Sequence, residues 1–266
     1  MHLAFIGFGE VGQRFSKDLL SRPGVRISAW DLKFKRPGSS NAQAAEALGV
    51  VVAPDAASAM REASCVISAV TADVTEQVAR ASAAHLRPGQ FYFDVNSAAP
   101  TTKTRAAEAV AAVRAHYVEA AVMAPVAGPG IGVSILAGGP NAAALADRLN
   151  GLGMNITPVA TAYGRASAMK LSRSIMIKGI EALIRDCDRA ARHWGIEQEV
   201  YASLQQSFPG TDWAKLAATM QARVARHGLR RAAEMREAAE MVESIGIDPR
   251  LCLAVAEAQA AGADQA

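Results

Sequence analysis

The chain has 266 residues, 51% of them hydrophobic and 20% charged, enough for two modest domains with well-buried cores. Its formal net charge is only +3 and its basic residues are spread along the chain, which argues against nucleic acid or a membrane surface as a partner. Cys65, Cys187 and Cys252 are odd in number and lack metal-ligand spacing, so neither a disulfide framework nor a metal site is expected; buried thiols in a reducing compartment are. No stretch approaches the roughly 18 apolar residues of a membrane span, and the apolar run at 3–6 is too short for a signal peptide, so a cytoplasmic protein is expected.

The first half alternates short apolar runs with helical patterns, the order of a parallel sheet wound with helices on both faces. Predicted strands cover 3–6, 26–31, 65–70, 91–94 and 117–122. The first strand runs into GFGEVG at 7–12, followed by a predicted helix at 11–20 in which Val11, Phe15 and Leu19 recur every four residues. In that loop Gly7 permits a tight turn, Gly9 lets backbone amides approach a pyrophosphate, and Gly12 lets the helix pack closely. A phosphate would sit at the positive end of the helix beginning near Val11. Asp31, closing the second strand, can accept hydrogen bonds from an adenosine ribose. The predicted cofactor-binding set is therefore Gly7, Phe8, Gly9, Glu10, Val11, Gly12 and Asp31, joined by Val70 and Thr71 after the third strand. NAD is the expected cofactor; Lys33, Lys35 and Arg36 follow Asp31 closely enough to admit NADP.

DVNSAAP at 94–100 ends the fourth strand, where Asn96 and Ser97 would offer an amide and a hydroxyl to a ligand in the crevice. The same residues suit an Asx-type turn capping a helix that starts near Thr101. APVAGPGIG at 124–132 reads either as a loop whose amides grip an anion or as a plain connection. Runs at 133–137 and 155–159 flank a helix at 141–150 and extend the sheet, with the domain ending near Ala160.

Residues 163–193 contain no proline and one glycine, Gly179, and predict a helix of about 30 residues, or about 45 Å. Lys170, Arg173, Ser174, Ile177 and Glu181 share one face of it. A lysine partly desolvated beside another cation can have its pKa lowered into the range useful for proton transfer; a solvated charged face is the alternative. Two further helical runs are predicted at 212–227 and 230–245. His227, Arg231 and Glu234 lie there at helical spacing, and either bring polar groups to a cleft or pair along a surface. The tail, 256–266, is rich in alanine and small polar residues, and its end is expected to fray.

In this order the glycine loop, the Asp94 segment, the Pro125 loop and the Lys170 helix resemble the beta-hydroxyacid dehydrogenase superfamily, which includes 3-hydroxyisobutyrate and 6-phosphogluconate dehydrogenases. The resemblance covers nearly the whole chain. It implies an α/β Rossmann-type dinucleotide-binding domain over 1–160 followed by an all-α C-terminal domain over 161–266 that forms a homodimer. It implies Lys170 as general acid/base, Ser97 and Asn96 in contact with substrate and nicotinamide, and the loop around Ala127 and Gly128 as the site for the substrate's acid group. Arg173, nearly one helical turn from Lys170, is expected to help recognise the substrate's negative charge, with Ser174 next to it as a further substrate-binding residue. Three places depart from the commoner pattern. Ala127, Gly128 and Pro129 stand where relatives carry serine-glycine-glycine. Ser174 replaces an asparagine four residues after the lysine. HGLRRAAEMREAAEM at 227–241 replaces a Lys-Asp-Leu segment and resembles a divergent C-terminal subgroup. The implied activity is interconversion of a small anionic beta-hydroxy acid and its carbonyl product with NAD(P). An imine reductase on the same scaffold, or a non-catalytic dinucleotide sensor, is the alternative. Lys170 argues against the first, and Lys170, Ser97 and Asn96 together argue against the second.

Overall fold

Alternating apolar runs and glycine-punctuated helices build the first 160 residues around one eight-stranded sheet in the computed structural model, which describes residues 1–263. The strands are β1 (His2–Ile6), β2 (Arg26–Trp30), β3 (Val51–Val52), β4 (Cys65–Ser68), β5 (Phe91–Asp94), β6 (His116–Val122), β7 (Ser134–Gly138) and β8 (Asn155–Ala160). They lie in the order β3-β2-β1-β4-β5-β6-β7-β8, parallel throughout except for the antiparallel β6/β7 pair. The two-residue β3 was too short to leave a periodic signal in the sequence. The direction of winding reverses between β1 and β4, and a ligand crevice forms beyond the carboxyl ends of strands at such a point.

Register aligns that edge. Trp30, Ile6, Ser68, Asp94, Glu119, Gly138 and Ala160 are successive partners across seven strands. Helices α1 (Glu10–Leu20), α2 (Ser40–Ala47), α3 (Ala56–Met60), α4 (Thr75–Ala83), α5 (Pro100–Ala112) and α6 (Ala142–Asn150) fill the connections. Phe15 and Leu19 of α1 and Leu145 of α6 pack with Leu3, Phe5 and Phe93 on one face of the sheet. Ala106 and Val110 of α5 pack with Ala4, Ile6, Tyr92 and Tyr117 on the other. Full burial of each large side chain contributes about 1.5–3 kcal/mol, so both faces of the sheet are closed and its edge is held rigidly.

The chain divides into two units, Met1–Lys170 and Leu171–Ala266, within helix α7 (Arg165–Trp194). Helices α8 (Glu197–Ser207), α9 (Trp213–Glu243) and α10 (Arg250–Ala263) complete the second unit. The two helical runs expected at 212–227 and 230–245 are one helix, because Gly228 is a packing point and not a break. A side chain at Gly228 would strike the Gln259 carbonyl of α10, and one at Gly262 would strike Val224 of α9. Glycine costs a helix about 1 kcal/mol relative to alanine; the close approach of α9 and α10 offsets it.

The tail is helical as far as Ala263, with Ala256, Gln259 and Gly262 buried in α10; the end expected to fray, residues 264–266, lies outside the described residues. One further expectation is corrected. Cys65 and Cys252 are buried, but Cys187 is exposed, since it falls on the outer side of α7 next to the buried Asp188.

Gly228→Val is expected to lower the stability of the helical unit by about 1–3 kcal/mol, the usual cost of overpacking. Urea unfolding followed by circular dichroism measures it; an unchanged midpoint would show that α9 and α10 do not need this glycine.

Candidate functional site

The glycine loop turns between β1 and α1. Gly7 has φ +89, and a side chain there would collide with the Ala69 carbonyl oxygen, so the turn and the approach to the β4 end both require glycine. A Cβ on Gly12 would lie 2.8 Å from the Gly7 carbonyl oxygen, so the helix packs on the turn itself. A Cβ on Gly9 would meet nothing within 4 Å. Gly9 also begins α1 without a side-chain cap, so the first N–H groups of the helix stand beside open space. That combination fits the diphosphate of a dinucleotide. Asp31 is the loop's brace: one carboxylate oxygen accepts from Phe8 N at 2.7 Å and the other from Lys33 N at 2.7 Å. The Phe8 ring is buried in the core against Phe5 and Phe34, so only its backbone belongs to the loop. Glu10 and Thr71 are exposed, and Val11 is half-buried.

At the ends of β4 and β5 the side chain of Asn96 is a clamp. Its Oδ1 accepts from Val70 N at 2.6 Å and its Nδ2 donates to Ser68 Oγ at 3.0 Å. Ser97 Oγ, by contrast, is buried with no hydrogen-bond partner among the described residues. Beneath them Asp94 is fully buried and held from three sides. Lys103 Nζ lies 2.8 Å from Oδ1 and 3.1 Å from the Asp94 carbonyl oxygen, Tyr117 OH donates to Oδ2 at 2.5 Å, and Asn96 N donates to Oδ1 at 3.0 Å. Burial, and then the neighbouring Asp94 carboxylate, push the Tyr117 phenol well above its ordinary pKa, so it remains a donor.

The next strand carries a second buried acid. Glu119 accepts from Ala166 N and from Ser167 Oγ, both at 3.0 Å, and so caps the first turn of α7. The neighbouring strand makes room with Gly138, where a Cβ would lie 2.5 Å from Glu119 Oε1. Lys170, half-buried, is on the second turn of this helix.

The loop joining β6 to β7 is pinned at its far end by α1. Asp18 Oδ2 accepts from Ile131 N at 3.0 Å, and Arg14 lies 3.4 Å from the same oxygen. Gly130, with φ +57, leaves these two side chains the space a Cβ would fill. Ala127 and Gly128 stay exposed at the tip.

Within the second unit Arg173 is exposed, while Ser174 Oγ is buried and meets Lys178 Nζ at 3.0 Å. Lys178 also lies 2.6 Å from Glu234 Oε2. Arg231 pairs with the fully buried Glu181, which Gln259 Nε2 reaches at 3.3 Å. Arg231 and Glu234 therefore face α7 rather than pairing along a surface. The sequence reading passed over Lys103, Glu119 and Lys178. A lone acid in the apolar strand HYVEAAV was the available signal for Glu119, since an unpartnered charge is costly to bury; the two lysines left none.

Comparison with known proteins follows the same division. A family model described as the NAD binding domain of 6-phosphogluconate dehydrogenase matches residues 2–160, and a domain of unknown function, DUF1932, matches residues 191–261. A conserved hypothetical protein from Sinorhizobium meliloti 1021 is 40% identical, with a TM-score of 0.83 over 99% of this chain and 89% of the other. A conserved protein whose structure revealed similarity to 3-hydroxyacid dehydrogenases is 30% identical, with a TM-score of 0.78 over 100% of this chain and 99% of its own. Mycobacterium tuberculosis 3-hydroxyisobutyrate dehydrogenase, solved with L-serine, shares the fold at 20% identity, with a TM-score of 0.79 over 99% of this chain and 94% of that one. With its Rossmann-type domain for a nicotinamide dinucleotide and its divergent helical C-terminal domain, the chain belongs to the beta-hydroxyacid dehydrogenase superfamily.

Proposed function

We propose that this protein is an NAD(P)-dependent oxidoreductase that interconverts a small anionic beta-hydroxy acid and its carbonyl product, with Lys170 as general acid/base. The observation that carries this reading is the position of Lys170: it is half-buried in the dinucleotide-binding unit, on a helix whose first turn is tied to the sheet through Glu119. When bound, the nicotinamide supplies the hydride acceptor or donor. In oxidation the neutral Lys170 amine takes the hydroxyl proton as the carbon loses hydrogen with its electron pair and the C=O bond forms; in reduction the Lys170 ammonium returns the proton to the same oxygen. Ser97 Oγ, which has no hydrogen-bond partner among the described residues, would bond that oxygen. Asn96 contributes by holding the end of β4 against the end of β5, since its amide is engaged on both sides. The exposed amides of Ala127 and Gly128 would receive the acid group; Arg173 and Ser174, three and four residues after Lys170 on α7, are proposed as substrate-binding residues.

NAD is the proposed cofactor. A 2'-phosphate would bring negative charge against the Asp31 carboxylate, which cannot turn away without releasing Phe8 N and Lys33 N. A homodimer through the helical unit is proposed because α7 leaves Met176 63% and Leu183 72% exposed, apolar area that a second copy would cover.

A panel of hydroxy acids followed by nicotinamide absorbance tests the reaction. Lys170→Ala is expected to bind NADH normally and to lose roughly 10² to 10⁴ in turnover, the usual share of a general acid/base. Arg173→Met should raise KM for anionic substrates alone, and a preference for neutral alcohols would count against it. Calorimetry is expected to give tighter binding of NADH than of NADPH, with the reverse order removing Asp31 from cofactor selection. Light scattering at micromolar concentration should report a dimer, and a monomer would refute the interface.

A further inference from the structure

Asp94 and Glu119 are register partners on β5 and β6, and both are 0% exposed. Two carboxylates buried side by side need an account, because each is costly to desolvate unless countercharge and hydrogen bonds offset the loss. Neither takes part in the proton transfer described above.

Asp94 is neutralised from α5, the helix that follows Ser97, and Glu119 is met by α7, the helix that carries Lys170. Lys103, on α5, supplies the charge opposite Asp94, and Asn96 N bonds the same carboxylate, so the corner leading to Ser97 is tied down from behind. Asn96 extends the tie to Val70, after β4. The N–H of Ala166 and the hydroxyl of Ser167 meet Glu119 at the positive end of α7, one turn before Lys170. Tyr117 links the two anchors, with its OH on Asp94 and its ring edge-on to Tyr163, just ahead of α7. Gly138 leaves the space that the Glu119 carboxylate occupies.

We propose that Asp94 and Glu119 are a pair of positioning residues that set Ser97 and Lys170 at a fixed separation, so that one substrate oxygen meets both. The proposal rests on the reading of Lys170 as general acid/base and adds what holds it in register with Ser97.

Three variants separate positioning from plain stabilisation. Glu119→Ala removes the cap, Glu119→Gln keeps an oxygen acceptor for Ala166 N, and the paired Asp94→Asn/Lys103→Met removes both charges without leaving an unpaired ion. Turnover is measured per NADH-binding site, so that unfolded protein does not count. Glu119→Ala and the paired variant are expected to bind NADH within about threefold of the parent yet to lose about 100-fold in kcat, the scale of an ångström's misplacement, with KM moving less. Glu119→Gln should recover most of that loss, remaining about twofold to tenfold below the parent. Should Glu119→Ala not fold, a lowered kcat in Glu119→Gln at unchanged melting temperature supports the role, and a parental kcat overturns it. Parental kcat in Glu119→Ala and the paired variant, with Lys170→Ala inactive, overturns the positioning role while the proposed reaction stands. Absence of any Lys170-dependent turnover in the parent protein overturns the reaction and the positioning role with it.

Discussion

The carboxyl edge of the sheet depends on how two buried carboxylates are neutralised. Helices cover both faces there, so water cannot solvate Asp94 or Glu119 and the protein must provide the donors. Asp94 receives a full positive charge from Lys103 and two further hydrogen bonds. A buried ion pair of this kind is a weak net source of stability, but losing one partner strands the other at a cost of about 3–5 kcal/mol. Glu119 is matched instead by a helix N-terminus, an interaction of about 2 kcal/mol at most in partly buried settings. Both solutions recruit a neighbouring helix, and in doing so they fix where α5 and α7 begin.

The same economy of parts appears at the glycine loop. Asp31 braces the loop through Phe8 N, and the proposed preference for NAD rests on the same side chain. Helix α1 opens beside the glycine turn and, one to two turns later, presents Arg14 and Asp18 to the loop after β6. A single rigid helix thus touches both the predicted cofactor loop and the predicted acid-binding loop. Gly7 and Gly130 permit this by having no side chain where backbone or carboxylate must approach.

The helical unit is held in another way. Beside buried apolar side chains such as Ile184, Met220, Val224, Met235 and Val242, the residues Ser174, Lys178, Glu181, Arg231, Glu234 and Gln259 form polar contacts between α7, α9 and α10. Buried polar pairs select one register of helix against helix because a slip leaves them unsatisfied. Arg231, Glu234 and Gln259 fall within the segment that matches the domain of unknown function.

The amino-acid sequence by itself determined whatever rests on near neighbours. The glycine turn into α1, the strands of the sheet other than β3 and the length of α7 all follow from local conformational preference and from periodicities of two and 3.6 residues. The positions of Lys170, Ser97 and Asp31 along those elements were legible for the same reason. Periodicity tells which face of an element is apolar, but not which element lies across from it. Tertiary structure alone decided that β7 runs antiparallel to β6, that Gly228 sits inside a helix against α10, and that Arg231 turns toward Glu181. It also decided that the amide of Asn96 clamps Val70 and that Lys103 and Glu119 enter the edge of the sheet at all. Asp94 and Glu119 are 25 residues apart in the chain and become neighbours only through strand register, and a buried charge acquires its meaning from the partner that register brings to it.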